Sequence, residues 1–335
     1  MAVKKIRIAQ IGTSGNSHGC EIFRGLRRRD DLFEVVGYAF PENERAKFPS
    51  LMDRFDGYRE MTVEEILSDP TIEAVSVETE EIYLTKYALM AARAGKHIHM
   101  EKPGGTDETL FRELIDTVKA KGLVFSTGYM YRFNPKVIEA IDKIERGDIG
   151  EVYAIEAHMD YIHDKPLRAW LDNFPSGMLF FLGCHLIDLI YRIQGEPQAV
   201  IPLSCSTHRD DLATDDYGMV ALKYPNGISF AKTCASEWGG YLRRQLVICG
   251  TKGTLEIRPL EYSHGDTCSD MIESHARGWN EAGEHTTSEP YDRYDSMLRR
   301  FAARVRGAEE RVYTPDYEMK LYALLQQCCR KDDNA

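Results

Sequence analysis

The residues of this chain best suited to chemistry are an acid and a base that close a short apolar segment. The segment His97-Ile98-His99-Met100 alternates as a strand does and runs directly into Glu101-Lys102-Pro103. A lysine at a strand end can bind a substrate oxygen and stabilise negative charge that develops on it. The same motif also occurs in ordinary turns, so its function depends on the elements that position it.

A second candidate is His185, which precedes Asp188 by three residues in an apolar, helix-like segment. A neutral imidazole can accept or donate a proton near neutral pH, which suits general acid or base chemistry. Residues three apart are neighbours on a helix, so we expect His185 and Asp188 side by side on its surface. A histidine in such a helix is also compatible with a purely structural role.

Strands and helices alternate in the first part of the chain, and this alternation must position Lys102. Apolar runs predict strands over 6–11, 33–40, 74–78, 97–100 and 123–127. Such alternation forms parallel sheets through right-handed crossovers, so we predict a doubly wound α/β sheet. Gly12, Thr79, Glu80 and Glu101 then share its carboxyl edge with Lys102, where ligands bind in such sheets.

A glycine-rich turn follows the first predicted strand and precedes a helical segment. It consists of Gly12, Thr13, Ser14, Gly15 and Asn16. Backbone amides in such a turn bind a pyrophosphate at the helix N-terminus, so these five residues are predicted to bind a dinucleotide. The spacing departs from Gly-x-Gly-x-x-Gly because Ser14 occupies the second glycine position.

The end of the second predicted strand bears on the choice of dinucleotide. An acid at this point binds the adenine ribose in NAD-selective sites. The chain has Phe40 there instead, with Glu42 two residues and Arg45 five residues further on. We therefore predict that Phe40 contacts the cofactor, and both NAD and NADP stay candidates.

Composition limits the size of the domains and the kinds of partner. A chain of 335 residues is long enough for two domains. Because 42 Lys and Arg stand against 53 Asp and Glu, the formal net charge of -11 disfavours nucleic acid and anionic membranes as partners. No apolar run reaches membrane-spanning length, and the chain enters its first strand without a signal-peptide pattern. We expect a cytoplasmic protein.

The second half of the chain contains further predicted strands joined by turns such as Asn226-Gly227, which favour antiparallel pairing. The polar stretch 262–290 is interpreted as a long surface excursion, and 170–175 as a loop. Trp170 in that loop is a candidate for substrate contact. Arg168, just before it, could bind a carboxylate or phosphate of the substrate.

Two other groups of polar residues could bind small ligands. Arg132, like Arg168, is a candidate for an anionic group of the substrate, although ordinary ion pairing is the alternative. His158, Asp160 and His163 could approach a divalent cation together with His185, but their setting gives no regular ligand geometry, and we predict no metal site.

Several motifs, taken together, resemble the Gfo/Idh/MocA family, which includes glucose-fructose oxidoreductase and inositol dehydrogenase. The matching segments are the turn at Gly12, Ala94-Gly95-Lys96-His97 leading into Glu101-Lys102-Pro103, Gly128-Tyr129-Met130-Tyr131-Arg132-Phe133-Asn134-Pro135, and Gly183-Cys184-His185-Leu186-Ile187-Asp188. The resemblance covers nearly the whole chain in order.

The resemblance implies two domains and a redox reaction. It implies a Rossmann domain over 1–127 that binds NAD or NADP. It also implies an α+β domain over 128–335, with a large, mostly antiparallel sheet that forms homodimers or homotetramers and a C-terminal helix that can pack back on the first domain. The expected reaction transfers hydride between the nicotinamide and a sugar, cyclitol or related polyol. In this scheme Lys102 holds the reacting oxygen, His185 beside it exchanges the proton, and Asp188 helps bind the carbohydrate-like substrate.

The chain departs from the family pattern in ways that keep two alternatives. Phe181 stands where many relatives carry an aspartate four residues before the histidine. Glu81 and Leu84 replace the asparagine and histidine that often follow the third strand. The alternatives are a noncatalytic regulatory protein that binds a nucleotide or sugar, and an enzyme that uses transient oxidation for elimination or glycoside cleavage.

Overall fold

The computed structural model of the protein describes residues 4–264 and 266–330. Its backbone contacts divide these residues into two compact units. The first unit comprises 4–129 and 294–322, and the second comprises 130–293 and 323–330. Within the described residues, no helix is both long enough and apolar enough to cross a membrane.

Strands and helices alternate throughout residues 4–129. The strands are β1 (Ile6–Ile11), β2 (Phe33–Ala39), β3 (Arg59–Glu60), β4 (Ala74–Val77), β5 (His97–Met100) and β6 (Phe125–Thr127). The helices are α1 (Gly19–Arg28), α2 (Glu44–Lys47), α3 (Val63–Ser68), α4 (Leu84–Arg93) and α5 (Glu108–Lys121). All six strands are parallel, in the order β3-β2-β1-β4-β5-β6. The predicted doubly wound sheet is confirmed.

Local sequence explains where these elements begin and end. The side chain of Thr62 and that of Glu65 form a capping box that starts α3, because each satisfies a backbone amide that the helix leaves unpaired. Asp107 caps α5 by accepting a hydrogen bond from the Leu110 amide, and Gly122 ends the helix in the left-handed conformation. Both faces of the central strands β1 and β4 are buried, as their continuous apolar sequences require.

Residues 130–293 form a second sheet with helices. The helices are α6 (Pro135–Arg146), α7 (Lys165–Trp170), α8 (Met178–Phe181) and α9 (Cys184–Gln194). The strands are β7 (Val152–His158), β8 (Ala199–Cys205), β9 (Tyr217–Tyr224), β10 (Gly227–Cys234), β11 (Gln245–Gly250), β12 (Thr254–Ile257), β13 (Tyr262–His264), β14 (Asp266–Cys268), β15 (Asp270–Ser274) and β16 (Glu284–Thr287). Eight of these strands form one sheet in the order β16-β15-β12-β11-β7-β10-β9-β8, and β13 pairs with β14.

The large sheet is mostly antiparallel, as predicted, and among its pairings only that of β7 with β10 is parallel. The turn at Asn226 joins β9 to β10, whose ends pair at Tyr224 and Gly227. Pro135 at the start of α6 needs no amide partner there, and Asn134 caps the helix by accepting from the Lys136 and Val137 amides.

Two predictions for this unit are wrong. The stretch 262–290 is not a simple surface excursion, because β15 and β16 extend the large sheet beyond β12. One face of β15 buries Met271 while its other residues are partly exposed, and β16 is a polar edge strand. A polar edge strand lacks the apolar alternation by which strands are recognised. Trp170 ends helix α7 rather than starting a loop.

Two helices complete the described chain, α10 (Asp295–Val305) and α11 (Pro315–Cys328). Within the first unit, the Tyr322 ring stacks on Phe111 of α5 with centroids 4.1 Å apart. Its hydroxyl donates to the Gly105 carbonyl oxygen at 3.1 Å. This part of α11 therefore supports the segment that follows Lys102.

Candidate functional site

The glycine-rich turn between β1 and α1 lies tightly against the end of β4. Gly12 has φ +82°, and a Cβ there would lie 2.3 Å from Cγ2 of Thr79. Only glycine accommodates both the positive φ and this close approach. The Gln10 side chain donates to the carbonyl oxygens of Gly12 and Gly19 at 3.0 and 3.1 Å, which ties the turn to the start of α1.

The other predicted residues of the turn are partly or fully buried. Thr13 and Ser14 are buried, and the Ser14 hydroxyl accepts from the Asn16 amide at 3.1 Å. A Cβ on Gly15 would lie 3.1 Å from the Phe48 ring, so this position also has little room for a side chain. The structure thus gathers all five predicted residues into one turn that leads into a helix, the arrangement that binds a pyrophosphate.

The end of β2 borders a cavity of about 540 Å³. The Phe40 ring lines this cavity and contacts Phe55, with ring centroids 4.9 Å apart. The Arg45 guanidinium lies 5.7 Å from the Phe40 ring centroid and pairs with Glu60. Arg45 is therefore held by an acid and an aromatic ring at the place where an adenine ribose is expected.

An ionised acid also borders this region. Oε1 of Glu42 accepts from the Tyr87 hydroxyl at 2.6 Å and from Lys86 Nζ at 2.9 Å. Burial opposes the ionisation of Glu42, but these two hydrogen bonds outweigh it and lower the pKa of its carboxyl. Glu42 therefore carries a negative charge at neutral pH.

The carboxyl ends of β4 and β5 carry a concentrated group of buried ionisable side chains. Lys102 and Glu101 are each 2% exposed, and Nζ of Lys102 lies 3.9 Å from Oε1 of Glu101. Glu78 is fully buried and accepts from the Ser76 hydroxyl at 2.6 Å. Glu80, which is nearly buried, pairs with Lys47 at 2.5 Å.

Burial changes the protonation of two further groups near this edge. Burial raises the pKa of Glu81 to about 8, with Lys102 opposing the shift and Glu101 adding to it. Burial alone lowers the pKa of His99 to about 4, so this imidazole is neutral. The sequence analysis did not single out Glu81 as a functional residue, although its replacement of the usual asparagine was a signal.

Buried polar atoms at this edge suit the binding of a dinucleotide. Oγ1 of Thr79 and both carboxyl oxygens of Glu81 are buried and have no hydrogen-bond partner among residues 4–264 and 266–330. Buried polar groups normally have partners, and exceptions in native proteins often mark ligand sites. Together with the turn at Gly12, these atoms fit a nicotinamide dinucleotide laid across the carboxyl edge of the sheet.

His185 lies in the second unit, near the start of α9. A break at Leu182 and Gly183 separates α8 from α9, and a Cβ on Gly183 would lie 2.5 Å from the Leu179 carbonyl oxygen. The residues of α9 from Cys184 to Ile190 are all buried. His185 and Asp188 are therefore both buried, because the helix is enclosed on every face of this segment.

A buried network adjoins His185. The Tyr131 ring meets the His185 ring edge-on, with centroids 5.0 Å apart. The Tyr131 hydroxyl donates to Glu261, and Arg244 Nη1 donates to that hydroxyl at 3.0 Å. Burial raises the pKa of Tyr131, with Glu261 adding to the shift, so the phenol is neutral. Its hydrogen bonds with Glu261 and Arg244 fix the orientation of the ring that contacts His185. The sequence analysis listed Tyr131 only as part of the family motif.

Arg132 and Asp188, both predicted to bind substrate, lie against each other. Arg132 Nε donates to Oδ2 of Asp188 at 2.9 Å, and Arg132 Nη2 donates to Oδ1 at 2.8 Å. Their side chains are 3% and 1% exposed. This bidentate pair ties the segment before α6 to the helix that carries His185. Substrate contact by either residue stays a prediction.

Arg168 and Trp170 lie in two different surroundings. The Arg168 side chain is fully buried, donates to the Arg209 carbonyl oxygen at 2.9 Å, and pairs with Asp210 and Asp216. Its guanidinium therefore holds the loop between β8 and β9. Trp170 packs edge-on against Phe181, with centroids 5.3 Å apart. Phe181, which replaces the usual aspartate, is thus part of an aromatic cluster, and the substrate roles of Arg168 and Trp170 stay predictions.

Among residues 4–264 and 266–330, no group of three or more His, Cys, Asp or Glu side chains is arranged to hold an ion. Instead, Lys232 Nζ contacts Oδ1 of Asp160 at 3.0 Å. An ammonium group occupies the position next to the carboxylate that a cation would need. The absence of a metal site stays a prediction.

Comparisons with known proteins agree with this architecture. Residues 6–129 match the sequence model of the oxidoreductase family with an NAD-binding Rossmann fold, and residues 137–256 match that of the Gfo/Idh/MocA C-terminal domain. An uncharacterized oxidoreductase from Rhizobium meliloti is 28% identical over 82% of this chain and 81% of its own. The trans-1,2-dihydrobenzene-1,2-diol dehydrogenase of Bos taurus is 26% identical over 67% of this chain and 66% of its own.

Solved structures share the fold at low sequence identity. A 3-ketoreductase from Actinomadura kijaniata, in complex with TDP-benzene and NADP, is 18% identical with a TM-score of 0.79, over 97% of this chain and 96% of its own. The aldose-aldose oxidoreductase of Caulobacter crescentus is 19% identical with a TM-score of 0.79, over 97% of this chain and 98% of its own. The two family matches and the dinucleotide edge lead to one conclusion: the chain belongs to the Gfo/Idh/MocA family of NAD(P)-dependent oxidoreductases.

Proposed function

We propose that this protein transfers hydride between a nicotinamide dinucleotide and the carbinol carbon of a sugar, cyclitol or related polyol. The observation that carries the proposal is the buried Lys102 at the carboxyl edge of the sheet, next to polar atoms of Thr79 and Glu81 that have no hydrogen-bond partner in the described part of the chain. A buried lysine is costly unless its charge is used or compensated. Stabilising the oxygen of a reacting alcohol or carbonyl is such a use.

The residues of this chain have distinct roles in that reaction. The turn from Gly12 to Asn16 would hold the pyrophosphate, and Thr79, Glu80 and Glu101 would line the nicotinamide side. When bound, the dinucleotide supplies the hydride acceptor or donor. Lys102 orients the substrate oxygen and favours its negative charge, and His185 accepts the hydroxyl proton during oxidation or returns it during reduction.

The surroundings of Glu42 favour NAD over NADP. A 2'-phosphate brought to the end of β2 would meet the ionised Glu42, and the nearby Arg45 is already paired with Glu60. An acid at this place accepts hydrogen bonds from the ribose hydroxyls of NAD and repels the phosphate of NADP. We therefore infer a preference for NAD, which parallel titrations with both cofactors test.

The test of the proposed function begins with binding. Purified protein is titrated with NADH and NADPH, then assayed with a panel of sugars, cyclitols and the trans-dihydrodiol that the bovine relative is named for. Lys102→Ala and His185→Ala are expected to lower turnover by at least about 100-fold while changing cofactor affinity much less. Glu108→Gln, on an exposed face of α5, is the control. A folded protein that binds neither cofactor contradicts the proposal.

Product analysis separates the remaining alternatives. Transient oxidation predicts a rearranged or cleaved product without net reduction of the cofactor. A noncatalytic regulator predicts binding without any hydride transfer across the panel.

The cytoplasmic location of the protein stays a prediction.

We further propose that the large sheet forms homodimers or homotetramers. On one face, Ile201, Ala221 and Phe230 align across β8, β9 and β10, and Ile201 is 52% exposed. Leu203 on the same strand is also 52% exposed. Apolar side chains in such a row favour burial against a second copy of the chain. Analytical ultracentrifugation of the wild type and of Ile201→Glu tests this: a monomeric wild type contradicts it.

A further inference from the structure

Three buried carboxyl groups meet at the edge that would bind the nicotinamide. Val77 of β4 pairs with Met100 of β5, and the next residues along the two strands are Glu78 and Glu101. The Glu101 amide donates to the Val77 carbonyl oxygen at 3.0 Å, which keeps the two strand ends in register. Glu81 follows on the short segment that leads into α4.

Glu81 differs from Glu78 in that both of its carboxyl oxygens, and not one, lack a hydrogen-bond partner in the described part of the chain. It is 0% exposed. Lys102 and Glu101 both act on it electrostatically. A fully buried carboxyl without partners is costly as an anion, and this cost decreases when a positive charge comes near.

Neighbouring groups of both charges act on the pKa of Glu81. Lys102 favours the anion, whereas Glu101, Glu80 and burial disfavour it. Glu78 also interacts with Glu81 and has a raised pKa, chiefly through burial. Lys47 pairs with Glu80 and offsets part of that charge. The pKa of Glu81, raised to about 8, shows that the free protein holds this carboxyl mostly neutral at pH 7.

The nicotinamide ring of the cofactor, which would lie at this edge, changes its charge between the oxidised and reduced forms. In a doubly wound sheet, a dinucleotide crosses from the end of β2 to the ends of the strands beyond the switch point, here β4 and β5. The oxidised nicotinamide ring is a cation and the reduced ring is neutral. A cation brought to a buried carboxyl lowers its pKa, whereas a neutral ring that excludes water does not.

We propose that Glu81 senses the redox state of the cofactor: it releases its proton when the oxidised dinucleotide binds and keeps it when the reduced dinucleotide binds. The proposal rests on the proposed function, because it requires a nicotinamide at this edge. It assigns a role to a residue that the sequence analysis named only as a departure from the family pattern. Glu81 acts here as a positioning and charge-matching residue for the cofactor.

The sign of the pH dependence follows. Below the pKa of free Glu81, binding of the oxidised form must expel a proton, so its affinity rises with pH. With full coupling, the dissociation constant falls by up to about tenfold per pH unit and levels off above about pH 8. The affinity of the reduced form is expected to change little over the same range.

The experiment measures protons directly. Isothermal titration at pH 7, in two buffers with different ionisation enthalpies, counts the protons released on binding of NAD+ and of NADH. If NADP+ and NADPH bind more tightly, they are used in their place. The wild type is expected to release close to one proton with the oxidised form and close to none with the reduced form.

Variants assign the proton to Glu81. Glu81→Gln should abolish the difference between the two forms and flatten the pH dependence of NAD+ affinity, while Glu108→Gln should retain both. Glu81→Asn serves as a second variant if the glutamine variant does not fold by circular dichroism. Equal proton release with both forms, or an unchanged difference in the folded Glu81 variants, overturns the inference alone. Failure of both forms to bind overturns the proposed function as well.

Discussion

The ion pair between Arg132 and Asp188 allows a sharp test of how His185 is positioned. Asp188→Asn keeps the shape of the side chain but removes its charge, so the Arg132 guanidinium stays buried without its counter-ion. The pair has side chains only 3% and 1% exposed and is bidentate, so solvent compensates little. Breaking one partner of such a pair costs about 3–5 kcal/mol, and we expect a loss near the lower end because the amide still accepts a hydrogen bond.

Urea unfolding monitored by circular dichroism measures this loss. The control is Glu108→Gln, which breaks the exposed pair with Arg112 and should cost less than about 1 kcal/mol. The double variant Arg132→Met, Asp188→Leu should recover much of the stability, because two apolar groups of similar volume leave no buried charge.

Kinetics then separate positioning from substrate contact. If the pair holds the helix of His185, Asp188→Asn lowers kcat more than it raises KM. A structural role for the pair is ruled out if Asp188→Asn unfolds at the same urea concentration as the wild type, or if the double variant is no more stable than the single one. A normal stability with a greatly raised KM would show instead that Asp188 contacts the substrate directly.

Three further predictions concern the first unit. Gly12→Ala should lower stability by at least about 1–2 kcal/mol and weaken dinucleotide binding, measured by urea unfolding and titration, because of its φ of +82° and its contact with Thr79. Glu42→Gln should reduce the preference for NAD over NADP by about tenfold, which competitive titration checks; an unchanged ratio contradicts it. For Glu310, burial opposes ionisation, but Arg300 and nearby amides lower its pKa to about 2. The ionised Glu310 contributes its full stabilisation above its ordinary pKa, and this contribution is lost as the pH falls towards 2. The stability of Glu310→Gln should therefore depend less on pH during acid unfolding, and a profile parallel to the wild type would contradict this.

The sequence predicted the central architecture because periodicity and turn chemistry are local. Strands β1 and β5 have the predicted bounds, since apolar runs and the neighbouring glycine turns limit them directly. Strands β15 and β16 were not predicted, because they are mostly polar. Backbone pairing at the sheet edge holds them, β15 with β12 and β16 with β15, and no regular apolar alternation marks a buried face.

The candidate site was only partly accessible from the sequence. Gly12 and Lys102 could be placed because each stands directly after a strand whose type was recognised. The pairing of Arg132 with Asp188 joins residues 56 positions apart and depends on tertiary packing. The state of Glu81 could not be predicted either, because it depends on burial and on charges brought together from two strand ends.

Hydride transfer at the carboxyl edge around Lys102 can be measured in a single turnover, with protein in excess over the oxidised dinucleotide and the absorbance of the reduced nicotinamide recorded after a polyol is added. We expect the wild type to reduce the bound dinucleotide in that turnover, and Lys102→Ala to lose this reduction although the dinucleotide still binds. A folded wild type that binds no dinucleotide, or a Lys102→Ala variant that reduces it at the wild-type rate, would overturn the assignment of this edge.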